Sequence, residues 1–146
     1  MSSNKHLHPD QLEKYSFLWS EARLVIAAIA LFLGGVPPIL EIIHASFVYS
    51  LLNIAWIISG VASVYLLYRW NQNRRKLFGK RETLDTVAFF VSIVSGINLG
   101  LVGVINTNIG MNISSSTFAF VVVGVIYLAS AAYLFQRWNS HHRKLF

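Results

Sequence analysis

Residues 86–136 contain no Asp, Glu, Lys or Arg, which makes a run of 51 residues without a charged side chain. A helix crosses the hydrocarbon core of a bilayer with about 20 residues. The run is therefore too long for one crossing, and it predicts a helix that crosses the membrane, turns and returns as a second helix. Only 12% of the whole chain is charged, against about 25% in a soluble domain, which favours the same interpretation.

The preceding part of the chain predicts a second pair of crossings. Leu24 to Leu40 is uncharged and apolar, and Ile42 to Tyr68 is apolar apart from a few polar side chains. The first of these crossings ends in Gly34-Gly35-Val36-Pro37-Pro38. Proline removes a backbone donor and restricts the residue before it. Pro37–Pro38 therefore either ends the helix at the outer surface, which we favour, or breaks it beside a cavity.

Residues 9–22 form a helical pattern ahead of the first crossing. Pro9 suits the first turn of a helix, and Tyr15 and Trp19 suit the headgroup level of a membrane. Two interpretations stay open. The segment is either a short helix that lies on the membrane surface, or an N-terminal extension of the first transmembrane helix.

The predicted fold is an all-α membrane protein with four transmembrane helices, arranged as two parallel-repeat helical hairpins after a short N-terminal interfacial helix. We divide the chain into five segments by charge and hydropathy. They are a cytoplasmic N-terminal segment (1–23), a first transmembrane hairpin (24–68), a basic cytoplasmic hinge (69–85), a second transmembrane hairpin (86–136) and a basic cytoplasmic tail (137–146).

The basic residues predict the topology. All twelve Lys and Arg residues lie in residues 5–23, 69–81 or 137–144. Four crossings place these three segments on one side of the membrane, and the positive-inside rule assigns that side to the cytoplasm. We therefore expect a protein integral to the cell membrane, with both termini in the cytoplasm.

The ends of the second and fourth crossings are nearly the same sequence. Residues 65–78 read YLLYRWNQNRRKLF and residues 133–146 read YLFQRWNSHHRKLF, with nine of fourteen positions identical at an offset of 68. The match predicts an internal repeat of two hairpins in the same orientation. Within the helices we align Gly35 with Gly96, which places Pro37 opposite Asn98.

Two strips of small residues recur at helical spacing, and such strips allow helices to approach closely in lipid. We expect the strips to pack against each other in the bundle, although a face between two copies of the chain is also compatible with the pattern. The helix-packing residues are Ala55, Ser59 and Ser63 on the second crossing and Ser92, Gly96, Gly100 and Gly103 on the third.

Asn53 and Asn98 are polar residues within the predicted crossings. A polar side chain in a transmembrane helix tends to face the bundle and to form hydrogen bonds. We expect both to face the interior, where they could contact each other. Their expected role is chiefly structural, and the alternative is a polar intramembrane site for a substrate or ion.

Residues 82–135 resemble a family of small two-helix prokaryotic membrane proteins of unknown function, whose first helix reads roughly G-x-N-W-G-L-V-G. This chain departs from that pattern at Leu99, where the family has Trp. The resemblance implies a duplicated two-helix unit in a prokaryotic inner membrane, and it implies no activity. The matching core residues are Gly96, Asn98, Gly100, Leu101, Val102 and Gly103.

The sequence contains no recognisable catalytic set. There is no cysteine, so disulfides, thiolate metal sites and iron–sulfur clusters are excluded. The acidic residues near the crossings, among them Glu21 and Asp85, fall at predicted helix ends. No crossing is expected to carry an internal charge, which ion-coupled carriers use. We therefore predict no enzyme activity, no cofactor and no metal site.

Basic residues cluster beside the membrane in the hinge and the tail. They set the topology, and we also expect them to contact anionic lipid at the cytoplasmic face or a cytoplasmic partner. Nucleic acid is not expected, because the clusters lie at the bilayer surface. The residues concerned are Arg74, Arg75, Lys76, Lys80, Arg81, Arg143 and Lys144.

The sequence thus predicts a structural role or a protein- or lipid-interaction role, with membrane lipids as partners and a homodimer or another membrane protein as a possible further partner. The alternative is a small transporter or channel for a neutral or lipid-like substrate, since parallel repeats occur in transporters.

Overall fold

A computed structural model describes residues 8–146. These residues form six helices and no named strand, and four of the helices are long and apolar enough to cross a membrane. The fold is therefore the predicted all-α, four-helix membrane fold. The helices are α1 (Pro9–Phe32), α2 (Pro38–Ile42), α3 (Ser46–Gln72), α4 (Thr83–Ile105), α5 (Ile109–Ile113) and α6 (Thr117–Ser140).

The four long helices form a closed ring. α1 packs beside α3 and α6, α4 packs beside the same two helices, and α1 and α4 also touch across the centre. The starts of α1 and α4 and the ends of α3 and α6 lie together at one end. We call this the basic end, and we include in it the segments 73–82 and 141–146. The short helices α2 and α5 lie in the turns at the opposite end.

α1 is one continuous helix. The interpretation of residues 9–22 as a separate interfacial helix is therefore wrong, and the alternative of an N-terminal extension is right. Glu13, Glu21 and Arg23 do not interrupt the helix because their side chains are buried in the bundle. Residues 1–7 of the predicted segment 1–23 lie outside the described residues.

α1 ends at Phe32, just before the Gly34–Pro38 segment in which the first crossing was predicted to end. Gly34 and Gly35 have φ angles of 81° and 89°, and the Gly35 N–H donates to the carbonyl oxygen of Ala30 over 2.8 Å. This is the Schellman arrangement, in which left-handed glycine ends a helix. Pro38 then begins α2, so the prolines follow a finished helix and do not break one.

α3 ends in a turn of the same kind, although it contains no glycine at the turn. Arg74 and Arg75 have φ angles of 55° and 60°, and the Arg75 N–H donates to the carbonyl oxygen of Trp70 over 3.0 Å. The chain then folds back and buries Leu77, which is 1% exposed.

α6 ends in the same way, 68 residues later. His142 and Arg143 have φ angles of 54° and 58°, and the Arg143 N–H donates to the carbonyl oxygen of Trp138 over 2.9 Å. Leu145 is 1% exposed, like Leu77. The two matching sequence segments therefore have matching backbone conformations.

The hydrophobic core lies at the basic end. Apolar side chains from all four long helices meet there, and the two folded-back tails cover them. The buried cluster consists of Phe17, Leu66, Leu77, Phe78, Ala88, Phe89, Ile93, Leu134, Trp138 and Leu145.

The most extensive helix–helix contact joins α3 and α4. A Cβ atom added to Gly60 would lie 2.7 Å from the Cα of Gly100, and a Cβ atom added to Gly96 would overlap the Ser63 hydroxyl. Gly103 lies against the backbone carbonyl of Asn53. The glycines of α4 thus contact α3 of the same chain, and Gly60 belongs to this contact although the predicted strip did not include it.

Gly60→Ala should destabilise the bundle by about 1–3 kcal/mol, the usual cost of adding a methyl group to a contact that is already filled. Unfolding of the purified protein in detergent, followed by circular dichroism, measures the change. Gly110→Ala is the matched control, because the nearest atom to its added Cβ is 3.5 Å away. A Gly60→Ala variant as stable as Gly110→Ala would contradict the close approach of α3 and α4.

Candidate functional site: buried charges and a basic pocket

An ion pair joins the start of α4 to the end of α6. Arg137 donates from Nε to Asp85 Oδ1 over 2.9 Å and from Nη2 to Oδ2 over 2.8 Å. The hydroxyl of Tyr133 donates to the same Oδ1 over 2.6 Å. The Asp85 side chain is fully buried. Three donors thus surround one carboxylate, which is the geometry that makes a buried pair favourable.

A second ion pair joins α1 to the end of α3. Arg69 Nη2 donates to Glu13 Oε2 over 3.1 Å, and the Phe146 N–H donates to Glu13 Oε1 over 3.4 Å. Arg69 and Arg137 are the same residue of the repeated RWN sequence. Each arginine binds an acid on the other long helix of its own hairpin.

The two tryptophans of the repeated sequence also have matching roles. Trp70 packs edge-on against Phe90 of α4, with ring centroids 5.1 Å apart. Trp138 packs against Phe17 of α1, with ring centroids 5.3 Å apart. Each tryptophan therefore joins its helix to the first long helix of the other hairpin.

Arg23 lies inside the bundle, where the sequence had predicted no charge, so that expectation is wrong. Its Nη1 donates to the Ser95 hydroxyl over 2.8 Å, and its Nη2 donates to the Ser92 carbonyl over 2.8 Å and to the Ser92 hydroxyl over 3.2 Å. Among residues 8–146, no carboxylate forms an ion pair with it. Ser92, predicted as a helix-packing residue, is here a hydrogen-bond acceptor.

Further polar groups are buried around Arg23. Trp19 Nε1 donates to the Ser59 hydroxyl over 2.9 Å. Within the described chain, Ser20 Oγ, Glu21 Oε1, Arg23 Nε and Ser63 Oγ have no hydrogen-bond partner. Glu21 is therefore not at a cytoplasmic helix end, as expected, but within the helical bundle.

Asn98 does not meet Asn53, so the expectation of an interior asparagine pair is wrong. Asn98 Oδ1 accepts from the Ile109 N–H over 2.8 Å, and Nδ2 donates to Asn108 Oδ1 over 3.0 Å. It holds the start of α5 in the turn between α4 and α6. The Asn53 side chain is exposed. Ala55, from the same predicted strip, is half-buried, and its carbonyl accepts from the Ser59 hydroxyl.

The hinge forms an open pocket of about 280 Å³ lined by Asn71, Arg74, Arg75 and Arg81. Arg81 donates from Nε and Nη2 to the Arg74 carbonyl oxygen, over 3.1 and 2.9 Å. These two bonds hold the Arg81 guanidinium against the backbone of Arg74. We call these four residues the arginine pocket.

Three acids at the basic end are engaged in ion pairs with Lys or Arg. Glu13 pairs with Arg69, Asp85 with Arg137, and Glu82 with Lys80 and Arg137. Within residues 8–146, the remaining clustered cations form no ion pair with a carboxylate. These cations are Arg74, Arg75, Lys76, Arg81, Arg143 and Lys144, and all except the half-buried Lys76 are exposed.

Arg143 and Lys144 lie in a different environment from the arginine pocket. They line a pocket of about 330 Å³ between the start of α1 and the end of α6. Its lining also includes the acids Asp10 and Glu13, and the aromatic rings of Phe17 and Trp138. The two tails thus share a backbone conformation and differ in the charge around them.

In the described part of the chain, no group of three His, Cys, Asp or Glu residues is placed to hold a metal ion. Comparisons of the chain with protein-family models, with curated proteins and with solved structures find no match.

Asp85→Asn should destabilise the bundle by about 3 kcal/mol, since it leaves the Arg137 guanidinium without its buried carboxylate. Glu82→Gln should cost less than about 1 kcal/mol, because Glu82 is half exposed and 3.6 Å from the same guanidinium. Urea or guanidinium unfolding of both variants in detergent compares the two losses. Equal losses would show that the buried Asp85–Arg137 pair stabilises the bundle no more than the exposed Glu82–Arg137 pair.

Proposed function

We propose that the protein is a non-enzymatic integral membrane protein whose basic end binds anionic lipid at the cytoplasmic leaflet, in a structural or interaction role. One observation carries the proposal. Within residues 8–146, exposed cations of the hinge and the tail form no ion pair with a carboxylate, whereas Arg69, Lys80 and Arg137 are used in ion pairs. In the hinge and the tail, the five unpaired exposed residues are Arg74, Arg75, Arg81, Arg143 and Lys144.

The placement of these cations suits phospholipid phosphates. The arginine pocket and Arg143–Lys144 follow directly after the last turns of α3 and α6, beyond the apolar part of each helix. Tyr68 and Trp70 precede the pocket, and such aromatic residues prefer the headgroup level. Each basic residue near an anionic surface contributes about 1 kcal/mol of attraction, so five such residues give substantial binding.

The same observations support our proposal that the chain arose from two copies of one hairpin. The RWN arginines, the RWN tryptophans and the left-handed turns repeat their contacts at an offset of 68. In that arrangement both copies direct their basic turns to the cytoplasm. The resemblance of residues 82–135 to two-helix prokaryotic membrane proteins fits this origin and adds no activity.

Binding of lipid to the detergent-solubilised protein tests the proposal. Phosphatidylglycerol should raise the thermal unfolding midpoint, phosphatidylcholine should not, and high salt should weaken the effect because it screens exposed charges. Replacing the five unpaired cations with Asn or Gln should abolish the difference between the lipids. If both lipids stabilise the unmodified protein equally, the proposed role fails.

A small transporter or channel for a neutral or lipid-like substrate is the second candidate, and the buried Arg23 favours it. A charged side chain within a transmembrane bundle is costly, and such residues commonly mark a substrate or ion path. Ser20 Oγ, Glu21 Oε1 and Ser63 Oγ, which have no hydrogen-bond partner within residues 8–146, extend the polar interior.

Movement of fluorescently labelled phosphatidylcholine across liposomes tests the transport role. The reconstituted protein should accelerate exchange between leaflets, and Arg23→Gln should reduce exchange to the rate in protein-free liposomes. Arg143→Asn is the control, since Arg143 lies outside the bundle interior. Exchange by Arg23→Gln at the unmodified rate, or no exchange by the unmodified protein, would rule out this candidate.

A further inference from the structure

The arginine pocket is a more specific site than a basic surface. We propose that it binds one phosphomonoester group, and that the ligand is the headgroup of a phosphomonoester lipid in the cytoplasmic leaflet. The inference rests on the proposed lipid-binding role, and it names the headgroup class and the residues that select it.

The charge of the pocket matches a phosphomonoester. Three arginine residues and Asn71 line about 280 Å³, and no carboxylate from residues 8–146 pairs with these arginines. A phosphomonoester carries about 1.5–2 negative charges at neutral pH, whereas a phosphodiester carries one. Guanidinium groups bind phosphate oxygens through paired, charge-assisted hydrogen bonds. Three of them favour the ligand that has more charge and three terminal oxygens.

The pocket is preorganised by the backbone. Arg74 and Arg75 have left-handed φ angles that non-glycine residues rarely adopt. This turn brings two consecutive arginine side chains to one pocket, and Arg81 is fixed there by its two bonds to the Arg74 carbonyl. Strain of this kind persists where the surrounding structure enforces it, and it is common at ligand sites.

The location favours a lipid over free phosphate. The pocket lies between the end of α3 at Gln72 and the start of α4 at Thr83, two helices of membrane-spanning length. A headgroup at that level presents its phosphate to the pocket while its acyl chains stay in the bilayer. The exposed apolar side chains at Leu84 and Val87, in the first turns of α4, provide an adjoining surface for acyl chains.

The second tail provides the matched control. Arg75 and Arg143 occupy the same position of the repeated sequence and the same left-handed conformation. Asn tolerates that conformation well, so Arg75→Asn and Arg143→Asn each remove one cation without disturbing the turn. Arg143 faces a pocket that also contains Asp10 and Glu13, and those acids disfavour a doubly charged ligand.

Native mass spectrometry of the full chain in detergent tests the proposal. Phosphatidic acid, phosphatidylglycerol and phosphatidylcholine are supplied in equal amounts. The unmodified protein should retain one phosphatidic acid in preference to the other lipids. Arg143→Asn, which removes one cation of the general lipid-binding surface, should weaken retention of phosphatidic acid and phosphatidylglycerol alike and keep the preference for phosphatidic acid. Arg75→Asn should bind phosphatidic acid about tenfold more weakly, the effect of losing one charged hydrogen-bonding group. Arg74→Asn should show the same loss and serves as a second variant.

The outcomes separate this inference from the broader proposal. Equal retention of phosphatidic acid and phosphatidylglycerol, both above phosphatidylcholine, would overturn the phosphomonoester site and leave the lipid-binding role standing. No preference over phosphatidylcholine would overturn both. If Arg143→Asn lost as much phosphatidic acid binding as Arg75→Asn, the arginine pocket would not be the site. Displacement of phosphatidic acid by equimolar inorganic phosphate would overturn the lipid as the ligand and assign the site to free phosphate.

Discussion

Two arginine–carboxylate pairs, Arg69–Glu13 and Arg137–Asp85, hold the basic end of the bundle together, and each pair joins the two long helices of one hairpin. A carboxylate as buried as Asp85 is tolerated only when donors surround it, so its position fixes the depth and rotation of α4 against α6. The folded-back tails close over these pairs, and the Arg137 guanidinium lies 5.3 Å from the ring centroid of Phe78. The hydrophobic core lies at the same end of the bundle as these pairs.

The two hairpins repeat these contacts, but they contribute different side chains to the centre of the bundle. Helix α4 repeats the contact pattern of α1 at an offset of 72, which differs from the alignment of Gly35 with Gly96 that the sequence predicted. At this offset Arg23 corresponds to Ser95, and the two side chains meet where α1 and α4 touch. One hairpin therefore contributes a charge to the centre and the other contributes an acceptor. The equivalent positions are Glu13 and Asp85, Phe17 and Phe89, Ser20 and Ser92, and Arg23 and Ser95.

Much of the fold follows from the sequence, because uncharged apolar runs of this length are typical of transmembrane helices and few other structures can accommodate them. The second hairpin was predicted at residues 86–136, within a few residues of the start of α4 and the end of α6. The length of α1 was not predicted, since hydropathy does not distinguish a charged residue at the bilayer surface from one that is buried against a neighbouring helix. Glu21 and Arg23 therefore looked like a helix boundary.

The candidate site was predicted less completely, for related reasons. The basic residues of the hinge were evident from composition. Their assembly into one pocket depends on left-handed φ angles at Arg74 and Arg75, and the sequence has no glycine at these positions to indicate such a turn. Asn98 was recognised as a constrained polar residue, whereas its partner in the turn, Asn108, was not. The repeated RWN sequence was the one signal that pointed to Arg69 and Arg137, because a residue kept in both copies commonly has the same contact in each.

The proposed contact with the cytoplasmic leaflet depends most directly on which side of the membrane the basic end occupies. The chain has no cysteine, so Ser140→Cys at the end of α6 and Ser114→Cys in the opposite turn each create a unique label site. Both positions are exposed. A membrane-impermeant maleimide applied to intact cells should label Ser114→Cys, and it should label Ser140→Cys only after the membrane is opened. Labelling of Ser140→Cys in intact cells, with Ser114→Cys protected, would place the basic end outside and contradict the proposed contact with the cytoplasmic leaflet.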